Sequence, residues 1–223
     1  MKILALELSS ARGSVALLNN HEIEFSREWP NDRKNSGPFF EYLVEMQKQL
    51  RKPDTIIVGL GPGSYAGTRI AISAAIGLSF GARRAVNASP ARTAQKVGHD
   101  SACPSIRLIG YPSICTIGCD AAEYCVIGDA RRQTFFYARV QKNNLAEGPD
   151  LISEAELREK LDKVERKMSI FATEKVPQFE RAEVRYPSAK ILAQLANDAD
   201  RTFTQPPLEP IYLREPHITI PKK

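Results

Sequence analysis

Two features of this sequence have the residue types and spacing for chemistry. The first is the segment Gly61-Pro62-Gly63-Ser64-Tyr65-Ala66-Gly67-Thr68-Arg69, between an apolar β-branched run (Thr55 to Leu60) and a stretch with helical spacing. A glycine-rich turn leading into a helix invites a phosphate, because the backbone N–H groups at a helix start attract anions. A P-loop would place Lys-Ser/Thr after its last glycine, whereas Gly67 is followed by Thr68-Arg69. The third glycine also stands too far on for Gly-x-Gly-x-x-Gly. The other reading of the same residues is a tight turn that needs glycine dihedrals.

The second feature is a pair of carboxylates. Glu7 and Asp129 each stand near the end of an apolar run, and each is followed by a short polar turn and a second apolar run. The stretches Ile3 to Leu17 and Tyr124 to Tyr137 are therefore echoes of one plan. Repetition of a strand-strand-strand-helix order suggests two similar α/β lobes facing one another. Cys103, Cys115, Cys119 and Cys125 form no Cys-x-x-Cys pair, and His21, His99 and His217 are far apart in sequence. Neither set has zinc-ligand spacing, so the thiols read as reduced and mostly buried. No metal site is expected.

The elements that must position these groups follow from periodicity. Lys2 to Leu8, Gly13 to Leu18 and Glu22 to Trp29 read as three antiparallel strands, with Asn19-Asn20 as a hairpin turn. A helix is expected from about Pro38 to Leu50, with Phe39, Leu43, Met46 and Leu50 on one face and Phe40 and Val44 beside them. Thr55 to Leu60 has the unbroken apolar pattern of a strand buried on both faces. Thr68 to Phe80 has helical spacing and many small residues, including Ala71, Ala74, Ala75 and Gly77. From about 82 to 107 the pattern dissolves, and an irregular insertion is expected. Pro112 to Ile117 suggests a further helix. Glu123 to Gly128, Thr134 to Val140 and Met168 to Ala172 read as strands. Phe135, Phe136 and Tyr137 are successive, so they point to alternate faces and serve the core. Ser153-Glu154-Ala155-Glu156 is a capping box that opens a helix, and Pro187 or Ser188 opens the last one. The end of the chain, from Pro206, is proline-rich and extended.

Composition sets bounds. With 223 residues, 43% hydrophobic and 26% charged, the chain suits one large domain or two lobes sharing a core. No apolar run approaches the roughly 18 residues of a membrane helix, and the early Glu7 does not suit a signal peptide. A cytoplasmic location is the expectation. The net charge of +5 is dispersed, which is compatible with a nucleic-acid neighbourhood without requiring one.

Four segments carry a family resemblance. Gly61 to Arg69 resembles the Gly-Pro-Gly-Ser-Phe-Thr-Gly-Leu-Arg pattern of the TsaB (YeaZ) family. Ile3-Leu4-Ala5-Leu6-Glu7-Leu8-Ser9-Ser10 is similar to its N-terminal strand, with Glu7 where the family has Asp. Asp129-Ala130-Arg131 and Pro210-Ile211-Tyr212-Leu213-Arg214 are similar to its Asp-Ala-Arg and Pro-x-Tyr-Leu-Arg segments. They occur in family order and span nearly the whole chain. The resemblance implies an α/β, two-lobe actin-like ATPase (ASKHA, RNase H-like) fold with a degenerate nucleotide site. It implies a lobe over 1–120 with partner-docking helices and a lobe over 121–223 with an extended tail.

It also implies a role. The chain would be a non-catalytic scaffold that dimerises with a TsaD-like catalytic subunit, alongside a TsaE-like ATPase, for threonylcarbamoylation of adenosine 37 in tRNA. The tRNA would be met through the complex. This chain would require no cofactor, with ATP and Mg²⁺ bound elsewhere in the assembly. The docking face would use Phe39, Leu43, Met46, Gly61, Gly63, Ser64, Tyr65, Gly67, Arg69, Ala71, Ala74 and Leu78, and alone it could support a homodimer. Glu7, Ser9, Asp129 and Arg131 would be remnants of a nucleotide site. The catalytic relatives carry a His-x-x-x-His metal site that this sequence lacks. The rival reading is a self-sufficient ATP-dependent phosphotransferase or an M22-type glycoprotease-like enzyme, with Asp129 on a metal–nucleotide and Glu7 near its phosphates. A third, an RNA-binding module, lacks the aromatic and basic stacking strand that role needs.

Overall fold

The computed structural model describes residues 1–31, 36–49, 52–87 and 106–214, with the side chains of Gln49 and of residues 81–87 excepted. It contains β1 (Lys2–Glu7), β2 (Arg12–Asn19), β3 (Glu22–Pro30), α1 (Gly37–Gln49), β4 (Thr55–Gly59), α2 (Tyr65–Asn87) and β5 (Arg107–Tyr111). A 3₁₀ turn (Ser113–Thr116) leads to β6 (Glu123–Asp129), β7 (Thr134–Gln141), β8 (Asn144–Ser153), α3 (Glu154–Lys163), β9 (Ser169–Ala172), β10 (Ala182–Val184) and α4 (Ala189–Ala196). Among the described residues no helix is long and apolar enough to cross a membrane.

The strands form two five-stranded sheets, ordered β3-β2-β1-β4-β5 and β8-β7-β6-β9-β10. The second order is the first repeated. In each sheet the leading three strands pair antiparallel and the last two join parallel. The echo in the sequence is thus a repeated topology. Asn20 makes the first hairpin turn with φ 56°, the left-handed region that Asn tolerates. The capping box forms as expected, with Ser153 Oγ accepting from the Glu156 amide and Glu156 Oε2 accepting from the Ser153 amide.

Alternation along the strands divides the apolar residues into three layers. Leu4, Leu6, Val15, Leu17, Ile56 and Val58 face α1 and α2. Ile3, Ala5, Ala16, Leu18 and Ile57 face the other way and join Tyr124, Val126, Phe136, Ala138 and Phe171 of the second sheet. Leu192 and Ala193 of α4 belong to this middle layer. Cys125, Ile127, Phe135 and Tyr137 pack with Leu157 and Leu161 of α3. Phe135, Phe136 and Tyr137 do alternate between layers, and all three are buried.

Several expectations need correction. The sheets separate between residues 111 and 123, but the stretch 121–223 is not confined to the second one. The α4 amide of Ala189 donates to Ser14 Oγ at 2.9 Å, Thr204 bridges to Gly110, and the Ile211 amide donates to the Leu60 carbonyl at 2.8 Å. The helix after the glycine-rich loop starts at Tyr65 and runs to Asn87, into the expected insertion, and β5 begins at Arg107. The remainder of that insertion, residues 88–105, lies outside the described residues, as do Leu50, Cys103, His99 and His217. Strands β5, β8 and β10 had no expectation. Pro112 to Ile117 is a single 3₁₀ turn rather than the start of a longer helix.

Candidate functional site

Both hairpins aim their turns at the same gap. The turn after β1 (Leu8 to Ala11) comes from the first sheet, and the turn after β6 (Ala130 to Gln133) comes from the second. Between them lies a cleft of about 530 Å³. Its walls include Ser9, Ser64, Tyr65, Asp129, Arg131, Tyr212 and Arg214. Four segments spread over two hundred residues therefore meet in one place.

The glycine-rich loop is shaped by its contact with β1. The Ser64 amide donates to the Ser9 carbonyl at 2.6 Å. A Cβ on Gly63 would stand 2.1 Å from that same carbonyl oxygen, and a Cβ on Gly67 would stand 2.1 Å from the carbonyl oxygen of Leu8. Gly61 has φ +92°, which favours glycine, and its amide donates to Ser113 Oγ at 2.9 Å. The close approach that Gly63 and Gly67 allow is to the chain's own backbone just after β1, at Ser9 and Leu8. Gly61 and Gly67 are buried. They were expected in a docking face, and they lie in the interior of this chain.

Glu7 is wholly buried, and it does not line the cleft. Its Oε1 accepts from the Ser9 amide at 2.7 Å. Its Oε2 sits 1.7 Å from where a Cβ of Gly59 would be, and it makes no hydrogen bond among the described residues. Burial pushes its pKa up, while the neighbouring hydroxyls of Ser9 and Ser113 and the Ser9 amide act the other way. Glu7 is thus not placed to meet a bound group in the cleft, contrary to its reading as a cofactor residue. Ser9 does line the cleft, with its Oγ unbonded among the described residues.

Asp129 and Arg131 also line the cleft, but they are occupied with each other. Asp129 Oδ1 accepts from the Arg131 amide at 2.6 Å, and Oδ2 lies 3.4 Å from the Arg131 guanidinium. Arg131, Arg132 and Gln133 all have positive φ, at 68°, 54° and 60°. At the other wall, Tyr65 stacks on Tyr212 with ring centroids 5.2 Å apart, and Arg69 donates to the Tyr65 hydroxyl.

The expected docking residues divide sharply. Phe39, Leu43, Met46 and Ala71 face inward and are buried in the layer between helices and sheet. Ala74 and Leu78 pack partly against that layer. On the outside of the helices stand Phe40, Val44, Ile76 and Phe80, with Ser73 and Gly77 also exposed in the middle of α2. The apolar stripe read from the sequence is the core stripe, and the side chains beside it form the outer face. Gly63, Ser64 and Tyr65 line the cleft, and Arg69 is exposed next to it.

Sequence reasoning missed Ser10, Thr68, Phe136, Thr173 and Glu174 as cleft residues. The repeat held the signal for two of them. Strand β9 occupies the place of β4, so the loop after β9, with Thr173 and Glu174, faces the cleft as Leu60 to Ser64 do. Among the described residues, no group of three or more His, Cys, Asp or Glu side chains is gathered to hold a metal ion.

No protein-family model and no curated protein sequence matches this chain. Solved structures do. One is an uncharacterised protein with similarity to peptidase YeaZ, from Pseudomonas aeruginosa, with a TM-score of 0.67 and 20% identity, over 96% of this chain and 99% of that one. Another is YeaZ from Pseudomonas aeruginosa, with a TM-score of 0.64 and 21% identity, over 95% and 99% of the two chains. At such identities the likeness is one of fold, and it extends over essentially the full length of both. Two mixed α/β sheets carrying their helices in this order give the chain the fold of YeaZ.

Proposed function

We propose that this chain is a TsaB-like scaffold subunit of a tRNA threonylcarbamoyladenosine-forming complex, built on a degenerate actin-like frame. The observation that carries the scaffold role is the outer face of α1 and α2. One face of each helix covers the first sheet, and the opposite face still exposes Phe40, Val44, Ile76 and Phe80 at 48, 52, 38 and 60%. Exposed apolar side chains on two helices that cover the same sheet suit a protein partner. Ser73 and Gly77 on α2 are also exposed, and a Cβ on Gly77 would meet nothing within 4 Å, so a partner helix could approach α2 closely there.

The partner in this reading is a TsaD-like catalytic subunit, with a TsaE-like ATPase and tRNA joining through the complex, and with a homodimer on the same face when the partner is absent. The cleft favours a non-catalytic role for this chain. Glu7 is buried with its Oε1 on the Ser9 amide, and of the two carboxylates that line the cleft, Asp129 and Glu174, Asp129 is engaged with Arg131. ATP and Mg²⁺ are then handled elsewhere in the complex.

The test is a pull-down of the organism's TsaD-like protein by this chain, followed by a tRNA modification assay with and without it. Co-purification together with loss of modification in its absence is expected. Full modification by the partner alone would sink the reading. Tight binding of ATP with Mg²⁺ by the isolated chain, measured by calorimetry, would favour the self-sufficient enzyme instead.

A further inference from the structure

The segment Pro210-Ile211-Tyr212-Leu213-Arg214 has no role in the function proposed above. Its place in the fold gives it one. The chain leaves α4, returns to the first sheet and then crosses the cleft mouth to the second. At the first sheet its hold is strong. Thr204 and Gly110 exchange two backbone hydrogen bonds, at 2.9 and 3.0 Å, and Leu208 is buried in the layer under α1 and α2. The Ile211 amide then donates to the Leu60 carbonyl at 2.8 Å.

Beyond Ile211 the hold rests on side chains. Tyr212 lies on Tyr65, both of them about half exposed. Arg214 Nη2 donates to the Arg131 carbonyl at 3.2 Å, in the turn between β6 and β7, and to Thr134 Oγ1, at the start of β7. Those acceptors are neutral, and among the described residues this end carries no ion pair. Pro206, Pro207 and Pro210 have no backbone N–H, so the segment cannot zip up as a further strand and stays extended. A segment fixed at one end by backbone bonds and burial, and at the other by the Arg214 guanidinium and the half-buried Leu213 side chain on the middle layer, opens first at the second end.

We propose that residues 204–214 are a strap that sets the separation of the two sheets across the cleft, with Arg214 as its releasable end. Release of Arg214 from the Arg131–Thr134 turn is the motion that opens the cleft. This holds whichever protein docks on α1 and α2, so it stands or fails apart from the scaffold reading.

Amide hydrogen exchange on the full chain tests it, comparing the wild type with Arg214→Ala and with Thr134→Val. The Ile211 amide is expected to exchange at least tenfold faster in Arg214→Ala, with faster exchange also in residues 8–11 and 129–134. Thr134→Val, which keeps the arginine and removes one acceptor, should move the same amides by a smaller factor. Residues 3–6 and 124–127 should be unchanged in both. Wild-type protection of Ile211 in both variants would overturn the proposal. So would acceleration confined to residues 212–214, or a uniform rise across the sheets in Arg214→Ala with no change in Thr134→Val.

Discussion

The carbonyl oxygen of Leu8 lies 2.1 Å from the point where a Cβ on Gly67 would stand. No side chain fits there, and the obstacle is backbone, which cannot swing aside. Gly67→Ala is therefore expected to destabilise the chain by about 1–3 kcal/mol through overpacking. Gly77, on the same helix, is the control. A Cβ there meets nothing within 4 Å, so Gly77→Ala should stabilise the isolated chain by about 0.5–1 kcal/mol through helix propensity. Urea unfolding of the two variants should give opposite signs. Equal signs would show that the loop is not seated on β1 as described.

Glu7 makes a prediction about pH. Its carboxyl is wholly buried, and burial raises its pKa above the ordinary 4.5. Below pH 4.5 both folded and unfolded chains hold the proton, and the contribution to stability is fully present. As pH rises past that value the unfolded chain ionises while the folded one does not, so stability falls until the folded carboxyl also ionises. Glu7→Gln keeps the carbonyl oxygen that accepts from the Ser9 amide and removes the titration. Melting temperature against pH should decline from acid towards neutral in the wild type more steeply than in Glu7→Gln. Parallel curves would contradict the assignment.

The two sheets are also joined away from the cleft. Arg201, with its side chain only 11% exposed, reaches Tyr111 Oη and Asn144 Oδ1 at 2.8 Å each and the Asn143 carbonyl at 3.1 Å. Tyr111 ends β5 of the first sheet, while Asn143 lies in the turn before β8 of the second and Asn144 begins that strand. Arg201→Ala should cost about 2–3 kcal/mol, since bonds to a charged group are worth more than neutral ones. Arg201→Lys should recover only part of that, because an ammonium lacks the planar fork. Chemical denaturation of both variants checks the ranking.

Local patterns made most of the fold readable. The alternation in β1 and β2, the unbroken run of β4 and the Ser153–Glu156 box each express their element within a few residues. The repeat was readable too, since Glu7 and Asp129 close equivalent strands. What escaped depends on tertiary pairing. Strand β8 is an edge strand with polar and half-buried residues, and its Gly148 and Pro149 read as a loop. Strand β5 follows a stretch with no clear period. For the site, sequence motifs brought the right segments together but not the right orientations. Nothing local shows that Glu7 is buried rather than open to the cleft. Helical periodicity identifies an apolar stripe without saying whether the sheet or a partner covers it.

That last ambiguity yields the sharpest test of the scaffold role. Leu43 and Val44 are neighbours in α1, one 5% exposed and the other 52%. Leu43→Ala opens a cavity above the first sheet, and it should destabilise the chain by about 2–5 kcal/mol. Any loss of partner binding should then follow the loss of folded protein. Val44→Glu and Ile76→Glu place charges on the outer face, where stability should change by no more than about 0.5 kcal/mol. They should abolish co-purification with the TsaD-like protein, because an unpaired carboxylate would have to be buried in an apolar contact. Retained binding in both glutamate variants, with melting unchanged, would move the docking surface away from α1 and α2.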